Sequence, residues 1–200
     1  HADELLAAGR WDEAASAYRS ILASRPDHAD AWFNLGYVLR RLGHFEQALE
    51  SYAAALRFRI RQPEVAHVNR AAILADHLHR DDEAASELQA ALALAPGHPP
   101  ALLNLGNLHE ERGERAAAID CYRRLLASER ADATAHALDA TARLLQLEPP
   151  ADRHDPLLDR ARAAAFARSG NDGPARATLL FSLGRAYDAL GEVDEAFAAF

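Results

Sequence analysis

The chain contains no lysine, no methionine, one cysteine and only 7% aromatic residues. Each scarcity excludes something. Every cation is arginine, which is not deprotonated in proteins, so Schiff-base chemistry is closed to it. The phosphate loop Gly-x-x-x-x-Gly-Lys is excluded for the same reason. One cysteine, Cys121, permits no internal disulfide and no cysteine-rich metal site. No apolar run approaches the roughly 20 residues that cross a bilayer, so no membrane insertion is expected. A net charge of -8 argues against nucleic acid or an anionic membrane as the main partner. Arginine as the sole cation fits the codon bias of a GC-rich bacterial genome, and a cytoplasmic location is expected.

What is present is helix-forming. Half of the residues are hydrophobic, mostly alanine and leucine, and β-branched residues are few. The 200 residues suffice for one large domain or a short repeat array. The chain opens at His1 and stops at Phe200 inside a helical pattern, as a piece of a longer protein would.

A repeat runs through it. Small residues recur at Ala14, Ala48, Ala84, Ala118 and Ala196, in steps of 34, 36, 34 and 78. Four positions after each stand Tyr18, Tyr52, Leu88, Tyr122 and Phe200. Five positions before stand Gly9, Gly43, His79, Gly113 and Gly191. Such periods mean stacked supersecondary units. The stretch Trp32-Phe33-Asn34-Leu35-Gly36-Tyr37 with Gly43, Ala48, Tyr52 and Leu56 resembles a tetratricopeptide repeat written almost in full. Leu103-Asn104-Leu105-Gly106 with Gly113, Ala118 and Tyr122 resembles it again. So does Leu183-Gly184 with Tyr187, Gly191, Ala196 and Phe200. The third copy is weaker, with Val68, Ala71 and Ala72 at signature positions and His79 in place of the turn glycine.

The resemblance implies an all-α fold, a right-handed superhelix of antiparallel helix–turn–helix repeats forming an α–α solenoid. Repeats are drawn at about 1–28, 29–62, 63–98 and 99–132, making an array over 1–130. A degenerate longer hairpin over 131–176 and a cut repeat over 177–200 follow. Gly36 and Gly106 are expected to let helix A approach helix B across Ala48 and Ala118, with Tyr52 and Tyr122 filling toward the next hairpin. Gly43, Gly113 and Gly191 suit left-handed C-caps. Pro26 and Pro96 end helix B. In the degenerate hairpin, Asp132 is expected to cap a helix to about Leu147, stopped by Glu148-Pro149-Pro150. Asp155-Pro156 opens another to about Arg168. Residues 169–173 are expected to form a loop, with Pro174 starting the next helix.

In the family, helix A lines a concave groove. That implies groove residues Phe33, Asn34, Tyr37, Arg40 and Arg41 in the second repeat, and Asn69, Arg70, Ile73, Asp76 and His77 in the third. The fourth supplies Leu103, Asn104, Asn107, Glu110 and Glu111. Asparagine is a poor helix former with a two-sided amide, so Asn34, Asn69, Asn104 and Asn107 form a candidate ladder for a peptide backbone. The groove changes sign along its length: an acidic ligand part is expected over Arg40, Arg41 and Arg70, and a basic part over Glu110 and Glu111. Asn34 and Arg70 match two positions of the family's carboxylate clamp, but its lysines are missing.

No cofactor or metal is expected. His77 and His79 are two apart and point about 200° apart around a helix, and neither pairs with His67 in a His-Glu-x-x-His pattern. Cys121, beside Tyr122, reads as a packed thiol. Arg168-Ser169-Gly170 follows an alanine-rich helix rather than a strand and is rejected as a sulfate-donor loop.

The expected partner is a protein or peptide segment, with no chemistry in this chain. An alternative rests on residues 69–84 and 183–191, which are similar to the N-terminal arrays of bacterial tetratricopeptide-repeat sulfotransferases. That resemblance implies a substrate-presenting module with catalysis beyond Phe200. Cut hairpins at both ends would also expose apolar faces open to self-association.

Overall fold

A computed structural model describes residues 1–128, 135–167 and 173–199, with the backbone alone at 197. The described residues form twelve helices and no strand. The expected cap Asp132, the helix end Arg168, loop residues 169–172 and Phe200 lie outside them. Two compact units result, His1–Pro96 and Gly97–Phe200, so the division falls between the third and fourth repeats, inside the 1–130 array.

In the first unit, α1 (Ala2–Ala7) pairs with α2 (Trp11–Ser24), α3 (Ala29–Arg41) with α4 (Phe45–Arg57), and α5 (Pro63–Asp76) with α6 (Asp81–Leu94). Proline opens α5 at a position whose N–H needs no intrahelical partner. His28 caps α3, its Nδ1 accepting from the Ala31 N–H at 3.4 Å. After each first helix the chain turns through a left-handed residue: Gly9 at φ 70°, Gly43 at 79°, and His79 at 53°. The side-chain-bearing His79 therefore adopts the conformation that glycine takes elsewhere. A Cβ at Gly43 would meet nothing within 4 Å, so a substitution there isolates the backbone term. Gly43→Ala is expected to lower unfolding free energy by about 1 kcal/mol in chemical denaturation, the usual penalty for a left-handed L-residue. An unchanged midpoint would contradict it.

The second helices end in two ways. α2 and α6 stop at extended residues, Arg25 and Ala95, each followed by proline. α4 instead closes through Arg59 at φ 60°, with the Ile60 N–H donating to the Ala55 carbonyl at 3.0 Å and Ile60 buried. This longer exit accounts for the step of 36. The signature residues Ala14, Ala48, Ala84, Tyr18, Tyr52 and Leu88 are all buried.

In the second unit α7 (Pro99–Glu111) pairs with α8 (Arg115–Ala127) through Gly113 at φ 74°. Beyond them lie α9 (Ala135–Leu147), α10 (Pro156–Phe166), α11 (Gly173–Leu190) and α12 (Val193–Ala199). Asp155 caps α10 as its sequence predicts, Oδ1 accepting from the Leu157 N–H at 2.9 Å with Pro156 in the first turn. The fifth hairpin departs from the others: α9 packs mainly against α11 and only lightly against α10. Leu138, Ala142, Leu145, Leu158, Leu179 and Leu183 make the core there.

The role of the helical glycines needs correction. A Cβ built on Gly36 would lie 3.1 Å from three atoms of the Tyr52 ring. One on Gly106 would overlap the Tyr122 ring, with two of its atoms at 2.9 Å. The surface nearest each glycine is thus the tyrosine of its own hairpin, not Ala48 or Ala118. These rings therefore fill space within their own hairpin. The third repeat agrees, since Ala72 and Leu88 replace glycine and tyrosine together.

Candidate functional site

Residues of α3 and α5 expected to line a groove fall into three states. Tyr37 and Arg41 are exposed and joined to Trp11 of α2: the Tyr37 ring lies edge-on to it at 6.2 Å, and the Arg41 guanidinium sits 5.3 Å over it. Asp76 and His77 are also exposed, with His77 stacked on Phe45 at 4.1 Å. Phe33, Asn34, Arg40 and Asn69 are half-buried. Phe33 packs edge-on against Tyr52 at 5.3 Å, and the Asn34 amide donates to Asp3 Oδ1 at 3.4 Å, joining α3 to α1.

Two of these expectations do not survive. Ile73 is fully buried, so its side chain belongs to the core and offers a ligand nothing. Arg70 is occupied: Nε donates to Glu87 Oε1 at 2.8 Å and a terminal nitrogen donates to the Leu49 carbonyl at 2.8 Å. His67 shares the same carboxylate, Nδ1 lying 2.6 Å from Glu87 Oε2. Burial pushes the Glu87 carboxyl up, but the hydrogen bonds from His67 and Arg70 and the Arg70 charge outweigh it and hold the group below the usual glutamate range. The cation placed over an acidic ligand is therefore neutralised internally. Arg40 and Arg41 make no ion pair among the described residues.

In the second unit, Leu103 is buried and withdraws from the face, while Asn104 stays half-buried. Asn107 and Glu110 both accept from the Tyr122 hydroxyl, at 2.8 Å and 3.0 Å. Arg143 of α9 donates to Glu110 Oε1 at 3.2 Å. Asn107, Glu110, Glu111 and Arg143 enclose a pocket of about 180 Å³. The hairpin read as degenerate thus supplies a wall of the pocket. Burial raises the Asp139 carboxyl on the same helix, with His136 and Arg143 pulling it back down.

The amides expected to form one ladder divide by function. Asn34 and Asn107 are used within their units, whereas the side chains of Asn69 and Asn104 make no hydrogen bond among the described residues. Cys121 is buried, which raises its thiol. Among the described residues no three His, Cys, Asp or Glu side chains converge as a metal site would require, and no helix is long and apolar enough to cross a membrane.

Family models described as tetratricopeptide repeat match residues 1–63, 38–99 and 80–144. The chain belongs to the tetratricopeptide repeat family. No curated protein matches it in sequence. Among solved structures, PilF of Pseudomonas aeruginosa is similar at a TM-score of 0.75 and 22% identity, over 99% of this chain and 85% of that one. PilW, described as a type IV pilus biogenesis factor, gives 0.67 and 22%, over 99% and 86%. YrrB, described as a tetratricopeptide repeat protein with an unusual peptide-binding site, gives 0.59 and 16%, over 99% and 87%. At these identities the likeness establishes the helical repeat fold.

Within that fold the three equivalent tyrosines differ. The Tyr18 hydroxyl donates to Asp3 Oδ1 at 2.6 Å, and Tyr122 has its two acceptors. Tyr52 is fully buried, and its hydroxyl has no hydrogen-bond partner among the described residues. The acceptors of Tyr122 stand 15 and 12 residues before it. The same positions before Tyr52 hold Tyr37 and Arg40, and an arginine cannot accept. Burial is the main cause raising all three phenols, and Arg40 pulls Tyr52 back. A buried hydroxyl without a partner costs ~1–3 kcal/mol. Tyr52→Phe is therefore expected to leave the chain as stable or more so, while Tyr122→Phe loses about 1 kcal/mol. Thermal unfolding compares the two, and equal losses would contradict the distinction.

Trp11, Glu87, Arg143 and the acceptor Asp3 escaped the sequence-based reading. For Glu87 a signal existed: the same register holds Ala17, Ser51 and Cys121 elsewhere, so an acid there is out of pattern.

Proposed function

We propose that the chain is a binding scaffold that holds a peptide or protein segment against the first-helix faces of its repeats, and performs no chemistry. The observation that carries this is the α3 face. Tyr37 and Arg41 lie exposed around Trp11, and Arg40 and Arg41 have no carboxylate partner among the described residues, so aromatic and cationic groups are left for another molecule. The unbonded amides of Asn69 and Asn104 suit main-chain recognition, each within its own unit. Tetratricopeptide repeat proteins serve as protein-interaction scaffolds, and a structural relative is described by its peptide-binding site. The sulfotransferase alternative rests on residues 69–84 and 183–191 alone, and the matched families and structures add nothing to it.

The test is selection of a random dodecapeptide library on the full chain, followed by calorimetry. Tyr37→Ala or Asn104→Ala is expected to weaken an enriched peptide about fivefold or more. Arg19→Ala and Arg57→Ala, in the hollow lined by α2, α3 and α4, should leave affinity unchanged. Enrichment of nothing, or dependence on that hollow alone, would reject the proposal.

A further inference from the structure

Repeat two differs from its neighbours where its tyrosine hydroxyl should find an acceptor. Tyr18 and Tyr122 find theirs on their own first helices, as Asp3, Asn107 and Glu110. At the matching positions repeat two carries Tyr37 and Arg40, and Tyr52 keeps a donor that nothing among the described residues accepts. Two guanidinium groups with no carboxylate partner among the described residues stand on this helix, Arg40 and Arg41, and stacking on Trp11 holds the latter in place. Hydroxyl and guanidinium groups share one requirement, an anionic oxygen acceptor.

We infer that this face of the first unit is an acidic-residue subsite, in which an Asp or Glu side chain of a bound peptide lies between Arg40 and Arg41 and accepts from the Tyr52 hydroxyl. The inference rests on the binding function proposed above and names the chemistry of its ligand. Tyr52 is closed to solvent and the Arg40 charge acts on its hydroxyl, so the subsite requires the flexible Arg40 side chain to turn outward as the carboxylate enters. Tyr37 and Trp11 supply the apolar surface beside it. This is not the family's carboxylate clamp. Of the two residues matching that clamp, Asn34 is bonded to Asp3, and Arg70 is consumed by Glu87.

The experiment uses the full chain and fluorescein-labelled, C-terminally amidated decapeptides that alternate Ser with Asp, Asn or Arg, read by fluorescence anisotropy. The Asp peptide is expected to bind about tenfold or more tighter than the Asn peptide, with the Arg peptide weakest. Arg40→Ala should remove most of that preference, and Tyr52→Phe should weaken the Asp peptide about threefold while melting no lower than the parent. Equal binding of Asp and Asn peptides, or indifference to both substitutions, would overturn the subsite. Binding that follows a free C-terminal carboxylate on the Asn peptide would overturn the assignment to side chains. If the random library enriches peptides that ignore Arg40 and Tyr52, the scaffold stands and the subsite falls. If it enriches none and the Asp peptide does not bind, both fall.

Discussion

Replacing Glu87 with alanine is expected to remove about 2–3 kcal/mol of unfolding free energy. The carboxylate is 17% exposed and faces His67 and Arg70, which are 21% and 20% exposed. Removing it leaves two nitrogen groups close together, poorly hydrated and unbalanced. Truncating one member of a buried pair commonly costs ~3–5 kcal/mol, and partial solvent access lowers the figure here. The other repeats supply a control. At the same registers repeat two has Ala31, Asn34 and Ser51, and the fourth has Ala101, Asn104 and Cys121. Converting His67, Arg70 and Glu87 together to Ala, Asn and Ser should recover most of the loss, because no charge is then left without a partner. A triple variant as weak as Glu87→Ala would contradict the ionic explanation.

The same group gives a pH dependence of known sign. Glu87 is held below the ordinary glutamate value of 4.5 when folded. The unfolded chain therefore binds its proton at higher pH than the folded one. The stabilisation is complete above the unfolded value and is lost as pH falls through the folded one. The gap between the parent and Glu87→Gln in urea unfolding should accordingly be full at pH 7 and shrink below about pH 4.5. A gap that persists unchanged at pH 3 would contradict it.

Gly106→Ala is the second large effect, with a net loss of about 2 kcal/mol expected. A methyl in mid-helix gains ~1 kcal/mol of helix propensity over glycine. Overpacking typically costs ~1–3 kcal/mol and sometimes more, and here the new Cβ would overlap an aromatic ring that is fully buried and tied by its hydroxyl to Asn107 and Glu110. Gly36→Ala is a gentler version, at 3.1 Å from a ring whose hydroxyl is untethered, and should come out near zero. Combining Gly106→Ala with Tyr122→Leu recreates the pairing of Ala72 and Leu88, so the double variant should lose less than the sum of its parts. Ala2 shares the glycine register in the first repeat, but it is the first residue of α1. Additive losses in the double-mutant cycle would show that the ring is not what the glycine accommodates.

Helix ends were legible because they depend on local chemistry. Proline at Pro26, Pro96 and Pro156 and the left-handed Gly43, Gly113 and Gly191 act through the local backbone, and they stand where the spacing placed them. The buried Ala14, Ala48, Ala84 and Ala118 were legible through their period. Residues whose state depends on a partner far along the chain were not. Position within a repeat could not tell that Ile73 is fully packed while Tyr37 is exposed. Nor could it show that Arg70 meets an acid 17 residues away on α6. The glycines were rightly marked as close-approach points, but the group approached was a ring on the opposite helix. The fifth hairpin hid its contribution because it lacks the signature glycines, so no register pointed to Arg143 as a neighbour of Glu110.

The binding function depends on where a ligand touches the chain. A peptide enriched from the random library, carrying a benzophenone at its central residue, should on irradiation cross-link to residues of the first-helix faces. In the first unit these are Tyr37, Arg40 and Arg41, and in the second Asn104, Asn107 and Glu111. Adducts confined to the hollow around Arg19, Gln47 and Arg57, or to the one around Arg123, Glu148 and Arg160, would contradict it.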